Sequence, residues 1–120
     1  MSSKNDSFDP EDLKNHTEVI NPNPELIAWF WQAVNVFNES ERRKLLFFIT
    51  GNTCAPQGGF GNLRPQFKIV CLRHESHNDL PRSHTCFNEL DLPPCQSFDE
   101  LFNKLKIVIM EVTESFEFTM

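Results

Sequence analysis

Three stretches of this chain repeat large apolar side chains at the spacing of an α-helix, and this pattern limits the folds available to it. They span residues 24–37, 38–50 and 97–112. Each begins beside a side chain that can accept a hydrogen bond from the first helical turn, namely Asn23, Asn38 and Ser97. The sequence therefore predicts three amphipathic helices that bury their apolar faces together.

The region between the second and third predicted helices carries the signals of turns and short strands. Residues 52–65 hold three of the four glycines but lack the Lys-Ser/Thr pair of a phosphate-binding loop, so they predict a turning loop. Residues 67–72 predict a strand, and residues 85–87 and 90–92 predict two shorter ones. For a chain of 120 residues, this pattern predicts a small single-domain α/β fold with helices packed on a short sheet.

The two ends of the chain are more polar. Residues 1–23 are predicted to be a lead-in or linker with at most one helical turn, because few of their side chains are large and apolar. Residues 24–120 form the predicted domain. From about residue 114 the chain is an acidic tail that carries Phe116 and Phe118.

Net charge and cysteine usage exclude some classes of function. The formal net charge of −6 argues against a nucleic-acid binder, since phosphate contacts need clustered Lys and Arg. No stretch approaches the roughly 18 apolar residues of a membrane span, and no signal-peptide pattern opens the sequence. We therefore expect an intracellular protein, cytoplasmic or nuclear, whose cysteines are free thiols: Cys54, Cys71, Cys86 and Cys95.

Cys86 stands in the stretch LPRSHTCFNELDLPPC, residues 80–95, beside groups that suit a reactive thiol. Arg82 and His84 can supply positive charge or accept a proton, and Thr85 can supply a hydroxyl. A free cysteine is nonetheless more often a small buried hydrophobe, so the residues alone leave nucleophile and filler both open. A cysteine-protease site would need a remote histidine in a recognisable context, which the sequence does not offer.

A zinc site is a further alternative. Cys71, His74 and His77 follow one another in three-residue steps, and Cys86 or Cys95 could supply a fourth ligand. The paired CxxC units of common zinc sites are missing from the sequence. A solvated His-rich loop after a strand with a buried thiol explains the same residues more simply.

Five stretches of the sequence resemble one known family, in order and in approximate spacing. They are WFWQAV, ERRKLLFFITG, PQGGF, LPRSHTCFNELDLPP and SFDELFNKL, and they are similar to the C-terminal lobe of the HECT ubiquitin ligases. FDPEDLKNHTE also resembles the end of the lobe that precedes it, so residues 1–23 would form that end and the interlobe linker. The resemblance covers nearly the whole chain and implies the small α/β lobe of that family.

The resemblance implies a chemical role for Cys86. In that family the corresponding cysteine accepts ubiquitin from a conjugating enzyme as a thioester and passes it to a substrate lysine, with no metal or cofactor. The tail phenylalanines, Phe116 and Phe118, are expected to assist the transfer. The residues expected to support the active-site loop are Leu80, Pro81, His84, Thr85, Phe87 and Asn88.

The implied partners are ubiquitin, a conjugating enzyme and a protein substrate. In the family the conjugating enzyme docks on the N-terminal lobe, which this sequence does not contain, so we expect the chain alone to be charged only weakly. A catalytically silent module of the same fold that binds ubiquitin or another protein is the main alternative. A small zinc-binding domain is a weaker one.

Three positions depart from the family pattern. Ser83 stands where a small residue such as alanine is usual, and Cys95 stands where an aromatic residue is usual. Glu117 occupies the place of the tail phenylalanine, with a phenylalanine on either side. We expect Cys95 to be a bystander rather than an oxidation partner of Cys86.

Overall fold

The computed structural model describes residues 9–73 and 79–115, with side chains up to residue 111. Its helices are α1 (Pro10–Asn15), α2 (Pro24–Val36), α3 (Glu39–Thr50) and α4 (Phe98–Ser115). Its strands are β1 (Glu18–Ile20), β2 (Lys68–Cys71), β3 (Arg82–His84) and β4 (Glu89–Leu92). Short 3₁₀ turns cover Phe60–Asn62 and Thr85–Phe87. None of the helices in these ranges is long and apolar enough to cross a membrane.

The strands form one sheet in the order β1-β2-β4-β3. β1, β2 and β4 are parallel, whereas β3 lies at the edge and pairs antiparallel to β4. Because side chains alternate between the two faces of a strand, Glu89 and Asp91 lie on the outer face of the sheet. The inward side chains of β2 and β4 are at most 1% exposed: Ile69, Cys71, Leu90 and Leu92. The predicted small α/β fold is confirmed.

α2 and α3 begin where their capping residues predict. Asn23 accepts a hydrogen bond from the backbone N–H of Leu26 at 3.3 Å. Asn38 and Glu41 exchange both bonds of a capping box, at 2.8 and 2.9 Å. Gly51 ends α3 with a φ of 82°, a left-handed conformation that costs glycine no side-chain strain.

α4 packs against both α2 and α3, and α3 also contacts β3 and β4. The rings of Phe37 and Phe102 stack with centroids 5.3 Å apart, which joins the end of α2 to α4. At the start of α4 the backbone N–H of Glu100 donates to Ser97 Oγ at 3.2 Å, as the sequence predicts. The Glu100 carboxylate in turn accepts from the backbone N–H of Gln96, the residue before Ser97, at 2.9 Å.

The segment before α2 differs from the predicted linker. α1 buries Leu13, which is 1% exposed, and β1 pairs with β2. The Asp12 carboxylate accepts a hydrogen bond from the backbone N–H of Phe60 at 2.8 Å. A side chain at Gly59 would come within 2.9 Å of that carboxylate, so the loop needs glycine there. Residues 9–23 are thus joined to the domain, because strand pairing uses backbone groups and needs few apolar side chains.

Residues 85–87 form a 3₁₀ turn and not the predicted strand. The strand lies just before them, as β3, and Ser83 is paired with Leu90. Because β3 and β4 are antiparallel neighbours, the chain must reverse between them, and residues 85–88 make that reversal. His84 and Cys86 therefore do not lie on one face of an extended strand.

Candidate functional site

Cys86 lies in the connection between β3 and β4, which we call the Cys86 turn (residues 85–88). Thr85, Cys86 and Phe87 are all exposed, and the Phe87 side chain is 59% accessible. Because β3 is an edge strand, the turn lies at a corner of the sheet. Cys86 is therefore not a buried filler, and a macromolecule can approach its thiol from solvent.

Asn88 anchors the exposed turn to the body of the domain. Its backbone is left-handed, with a φ of 52° and a ψ of 45°, a conformation that asparagine tolerates better than most residues. Its side chain is buried and donates to the carbonyl oxygen of Pro65 at 2.7 Å. Its own carbonyl oxygen accepts from the backbone N–H of Lys68 in β2 at 3.0 Å. The thiol is thus exposed on a turn whose last residue is held by two hydrogen bonds, one to Pro65 and one to Lys68.

Four of the other residues predicted to support the loop divide into two groups. Pro81 is buried and Leu80 packs against the core, so both hold the chain that enters β3. Phe87 and Thr85 lie on the exposed side of the turn and offer contact surface. The two tail phenylalanines at positions 116 and 118 lie outside the described residues.

His84 joins the Cys86 turn to a polar cluster on the outer face of the sheet. Its Nε2 lies 2.9 Å from Asp91 Oδ2 and 3.9 Å from Glu89 Oε2. The side chains meet because His84 pairs with Glu89 across the antiparallel ladder, while Asp91 lies two residues further along the same face of β4. The 2.9 Å separation is that of a direct hydrogen bond, so we interpret the three residues as a hydrogen-bonded cluster.

The two carboxyl groups of this cluster affect each other. The hydrogen bond that Asp91 accepts from protonated Glu89 is the largest cause that raises the pKa of Glu89, followed by burial and by the negative charge of Asp91. The positive charges of His84 and Lys68 lower it by less. Asp91 Oδ1 is buried and meets no permanent N–H or O–H donor among the described residues. Glu89 therefore holds a proton more readily than an isolated glutamate.

Of the two zinc sets suggested by sequence spacing, the one that uses Cys86 is not brought together among the described residues, whereas the one that uses Cys95 stays a prediction. Cys71 is buried in the core and pairs with Leu92 at the far end of β4, whereas Cys86 precedes the near end. One ion cannot be bound by thiols at opposite ends of the strand. His74 and His77 lie outside the described residues.

The four cysteines are free and lie in different environments. Cys54 and Cys86 are exposed, whereas Cys71 is buried and Cys95 is half-buried. Burial raises the pKa of the Cys71 thiol and of the Cys95 thiol. The Cys95 thiol also lies 3.6 Å from the carbonyl oxygen of Pro93.

The sequence reading missed Glu89 and Asp91 as members of the site. A signal for them was present, because both alternate with inward leucines in a predicted strand next to Cys86. The signal was overlooked because the preceding strand was predicted at residues 85–87 and not at 82–84. That error separated His84 from the strand that pairs with β4.

Comparisons with known proteins agree with the fold and extend it. The sequence model of the HECT-domain (ubiquitin-transferase) family matches residues 1–119. E3 ubiquitin-protein ligase NEDD4 of Rattus norvegicus is 41% identical over 116 residues, which cover 91% of this chain and 13% of that protein. E3 ubiquitin-protein ligase ptr1 of Schizosaccharomyces pombe is 42% identical over 121 residues, which cover 92% of this chain and 4% of that protein. The chain thus spans a small part of the length of these relatives.

The family model and the two relatives all match most of this chain. Each includes the first two predicted helices and the Cys86 turn, since each extends over more than nine-tenths of the chain. The motifs that suggested a HECT lobe are therefore part of a continuous similarity and not isolated coincidences. The chain belongs to the HECT-domain (ubiquitin-transferase) family.

Proposed function

We propose that this chain is the thioester-forming lobe of a ubiquitin ligase. Cys86 accepts ubiquitin from a conjugating enzyme and transfers it to a lysine of a protein substrate. The observation that carries this proposal is the Cys86 turn, where a free thiol is exposed to solvent on a loop whose base is held by Asn88.

Exposure and anchoring both suit a carrier thiol. A ubiquitin thioester is bulky, so the sulfur must be reached without opening the core, and Cys86 meets this condition. The later attack by an amine depends on orientation, so a turn fixed at Pro65 and Lys68 limits the positions that the thioester can take. Cys71 fails the first condition, since it is 1% exposed.

Membership of the family supports the choice of partners. Both relatives described above are named as E3 ubiquitin-protein ligases, and both align with nearly all of this chain. Ubiquitin, a conjugating enzyme and a protein substrate are therefore the proposed partners. The proposed role of Phe116 and Phe118 is to assist transfer after the thioester has formed.

The test loads the chain without any help from a second lobe. Ubiquitin carrying a C-terminal thioester to a small alkyl thiol is mixed with the chain, and a thiol-sensitive adduct is sought by non-reducing electrophoresis and mass spectrometry. Exchange of one thioester for another needs only an accessible thiolate, so the wild-type chain should form the adduct at Cys86. In a Cys54→Ala background, which removes the other exposed thiol of the described residues, Cys86→Ala should abolish it and Cys86→Ser should leave no thiol-sensitive product.

Cys54→Ala is the matched control, because Cys54 is the other exposed thiol among the described residues. This variant should load like the wild-type chain. An adduct that survives Cys86→Ala and disappears with Cys54→Ala would show that Cys54, and not Cys86, is the acceptor. No adduct on any cysteine, with ubiquitin still bound, would support the silent module instead.

A further inference from the structure

We infer that Asp91 is a positioning residue that fixes His84 as the proton acceptor for the incoming lysine. This inference rests on the proposed function of Cys86 and adds to it a named base and the residue that orients the base. It is carried by the direct contact of the two side chains at the foot of the Cys86 turn, 2.9 Å between Nε2 and Oδ2.

The contact with Asp91 sets the tautomer of His84. An ionised carboxylate can only accept a hydrogen bond, so Nε2 of the neutral imidazole must carry the hydrogen. Nδ1 is then left as the basic nitrogen, and no partner occupies it among the described residues. The ring therefore offers one free proton-accepting atom, two residues from Cys86 in the chain.

Asp91 is a rigid support for this histidine. Its neighbours Leu90 and Leu92 are both 0% exposed, which holds this part of β4 in place. The Asp91 side chain is itself only 13% exposed, whereas His84 is 48% exposed. The aspartate thus fixes the ring from the protein side and leaves its other edge open to solvent.

Charges from three strands face the ring. Glu89 and Asp91 project from β4, Lys68 projects from β2 beside Glu89, and Arg82 projects from β3. The hydrogen bond with Asp91 is the largest cause that raises the pKa of Glu89, so the neutral form of Glu89, which can donate to Asp91, is favoured relative to that of an isolated glutamate. The cluster also places negative charge where a lysine ammonium would approach the turn.

The proton balance of the transfer is simple. His84 Nδ1 takes a proton from the lysine ammonium, and the neutral amine attacks the thioester carbonyl. The carbon–sulfur bond breaks, an amide bond forms, and Cys86 leaves as a thiolate. The amine nitrogen loses a second proton, which neutralises the thiolate, and the proton on His84 passes to water. No oxidant, reductant or metal is needed.

The test compares two amines on a preloaded chain. The chain is loaded with ubiquitin through the small-thiol thioester, purified, and discharged either with free lysine or with hydroxylamine, which is already neutral near pH 7. Asp91→Asn should load normally and discharge to lysine about tenfold more slowly or worse, while discharge to hydroxylamine is unchanged. Asp99→Asn, which removes an exposed aspartate at the start of α4, should behave like the wild-type chain in both reactions.

His84→Ala makes the test independent of whether Asp91→Asn folds, because His84 is half exposed. It should show the same selective loss with lysine, and adding Asp91→Asn to it should cost little more, since the two residues act as a unit. Discharge of either variant to lysine at the wild-type rate overturns the inference. Equal slowing with both amines also overturns it. A wild-type chain that never loads at Cys86 refutes the proposed function instead.

Discussion

β4 has a cysteine beyond each of its ends, and the two thiols lie in opposite environments. Before the strand, Cys86 is exposed on a polar turn next to His84. After the strand, Cys95 is half-buried against the core, near a backbone carbonyl, with a raised pKa. The same side chain is presented at one end of the strand and used as packing at the other.

The strand itself keeps the two thiols apart. β4 spans four residues, which is roughly 10 Å of extended chain at about 3.3 Å per residue, and each cysteine lies beyond an end. A disulfide needs Cα atoms within about 7 Å, so the fold does not favour oxidation between Cys86 and Cys95. The comparison teaches that local burial, and not the presence of a cysteine in the motif, decides which thiol can act as a carrier.

The largest expected difference is in alkylation of the two thiols. Native protein treated briefly with iodoacetamide near neutral pH should be modified several-fold faster at Cys86 than at Cys95, because Cys86 is exposed, whereas burial limits access to Cys95 and raises the pKa of its thiol. Peptide mapping by mass spectrometry measures both sites in one sample. As the pH is raised, the rate at Cys95 should continue to climb above the range in which an ordinary thiol levels off.

Two further thiols serve as internal references for that experiment. Cys54 is exposed and should react readily, whereas Cys71 is 1% exposed and should react last. In denaturant the four rates should converge. Equal rates at Cys86 and Cys95 in the native protein would remove the basis of the comparison.

The next prediction concerns the anchor of the exposed end. Asn88→Ala should lower the free energy of unfolding by about 2–4 kcal/mol, because it removes a buried hydrogen bond and forces alanine into a left-handed conformation. Asn88→Gly should cost less, since glycine adopts that backbone freely and loses only the side-chain bond to Pro65. Denaturant unfolding of both variants measures the two contributions.

Asn103→Ala is the control for Asn88→Ala, because Asn103 is exposed within α4. It should leave stability unchanged or raise it slightly, since alanine is the better helix former. If Asn88→Gly is as damaging as Asn88→Ala, the left-handed backbone is not the source of the difference. A loss for Asn88→Ala no larger than that of the control would show that the turn is not anchored there.

Much of the fold could be predicted from local chemistry. The caps at Asn23 and Asn38 and the apolar spacing defined α2 and α3 closely, because those signals act within one turn of helix. α1 and β1 were missed because their stability comes from distant partners: Leu13 enters the core, and β1 pairs with β2. A sequence window of a few residues cannot show such contacts.

The site could be predicted only in part, for the same reason. Residue types alone left the role of Cys86 undecided between nucleophile and filler, since the exposure of its thiol depends on where the chain reverses between β3 and β4. The contact between His84 and Asp91 depends on the register of that pair, which was displaced when the strand was placed at residues 85–87. The resemblance to a family supplied Cys86 and His84 but not Glu89 and Asp91.

The smallest expected effect is on the pH dependence of stability, to which Glu89 contributes at the Cys86 end of β4. Glu89, at the Cys86 end, has a raised pKa, so the folded protein keeps its proton over a pH range in which the unfolded chain has lost it. Stability must then fall as the pH rises from the ordinary glutamate range through the raised value, and the loss stays constant above it. Glu89→Gln cannot ionise and should escape that loss. Its melting temperature should exceed that of the wild-type chain by a few degrees at most at about pH 8, with a smaller difference at about pH 4.

Glu18→Gln is the control for this variant, because Glu18 is exposed on β1 at the far edge of the same sheet. It removes one negative charge without touching the Glu89–Asp91 pair, so it should not reproduce the pH-dependent gain. Melting curves at both pH values for the three proteins decide the matter. A gain from Glu89→Gln that is equal at both pH values would show that lost charge repulsion at the surface, and not the proton shared with Asp91, distinguishes this end of the strand.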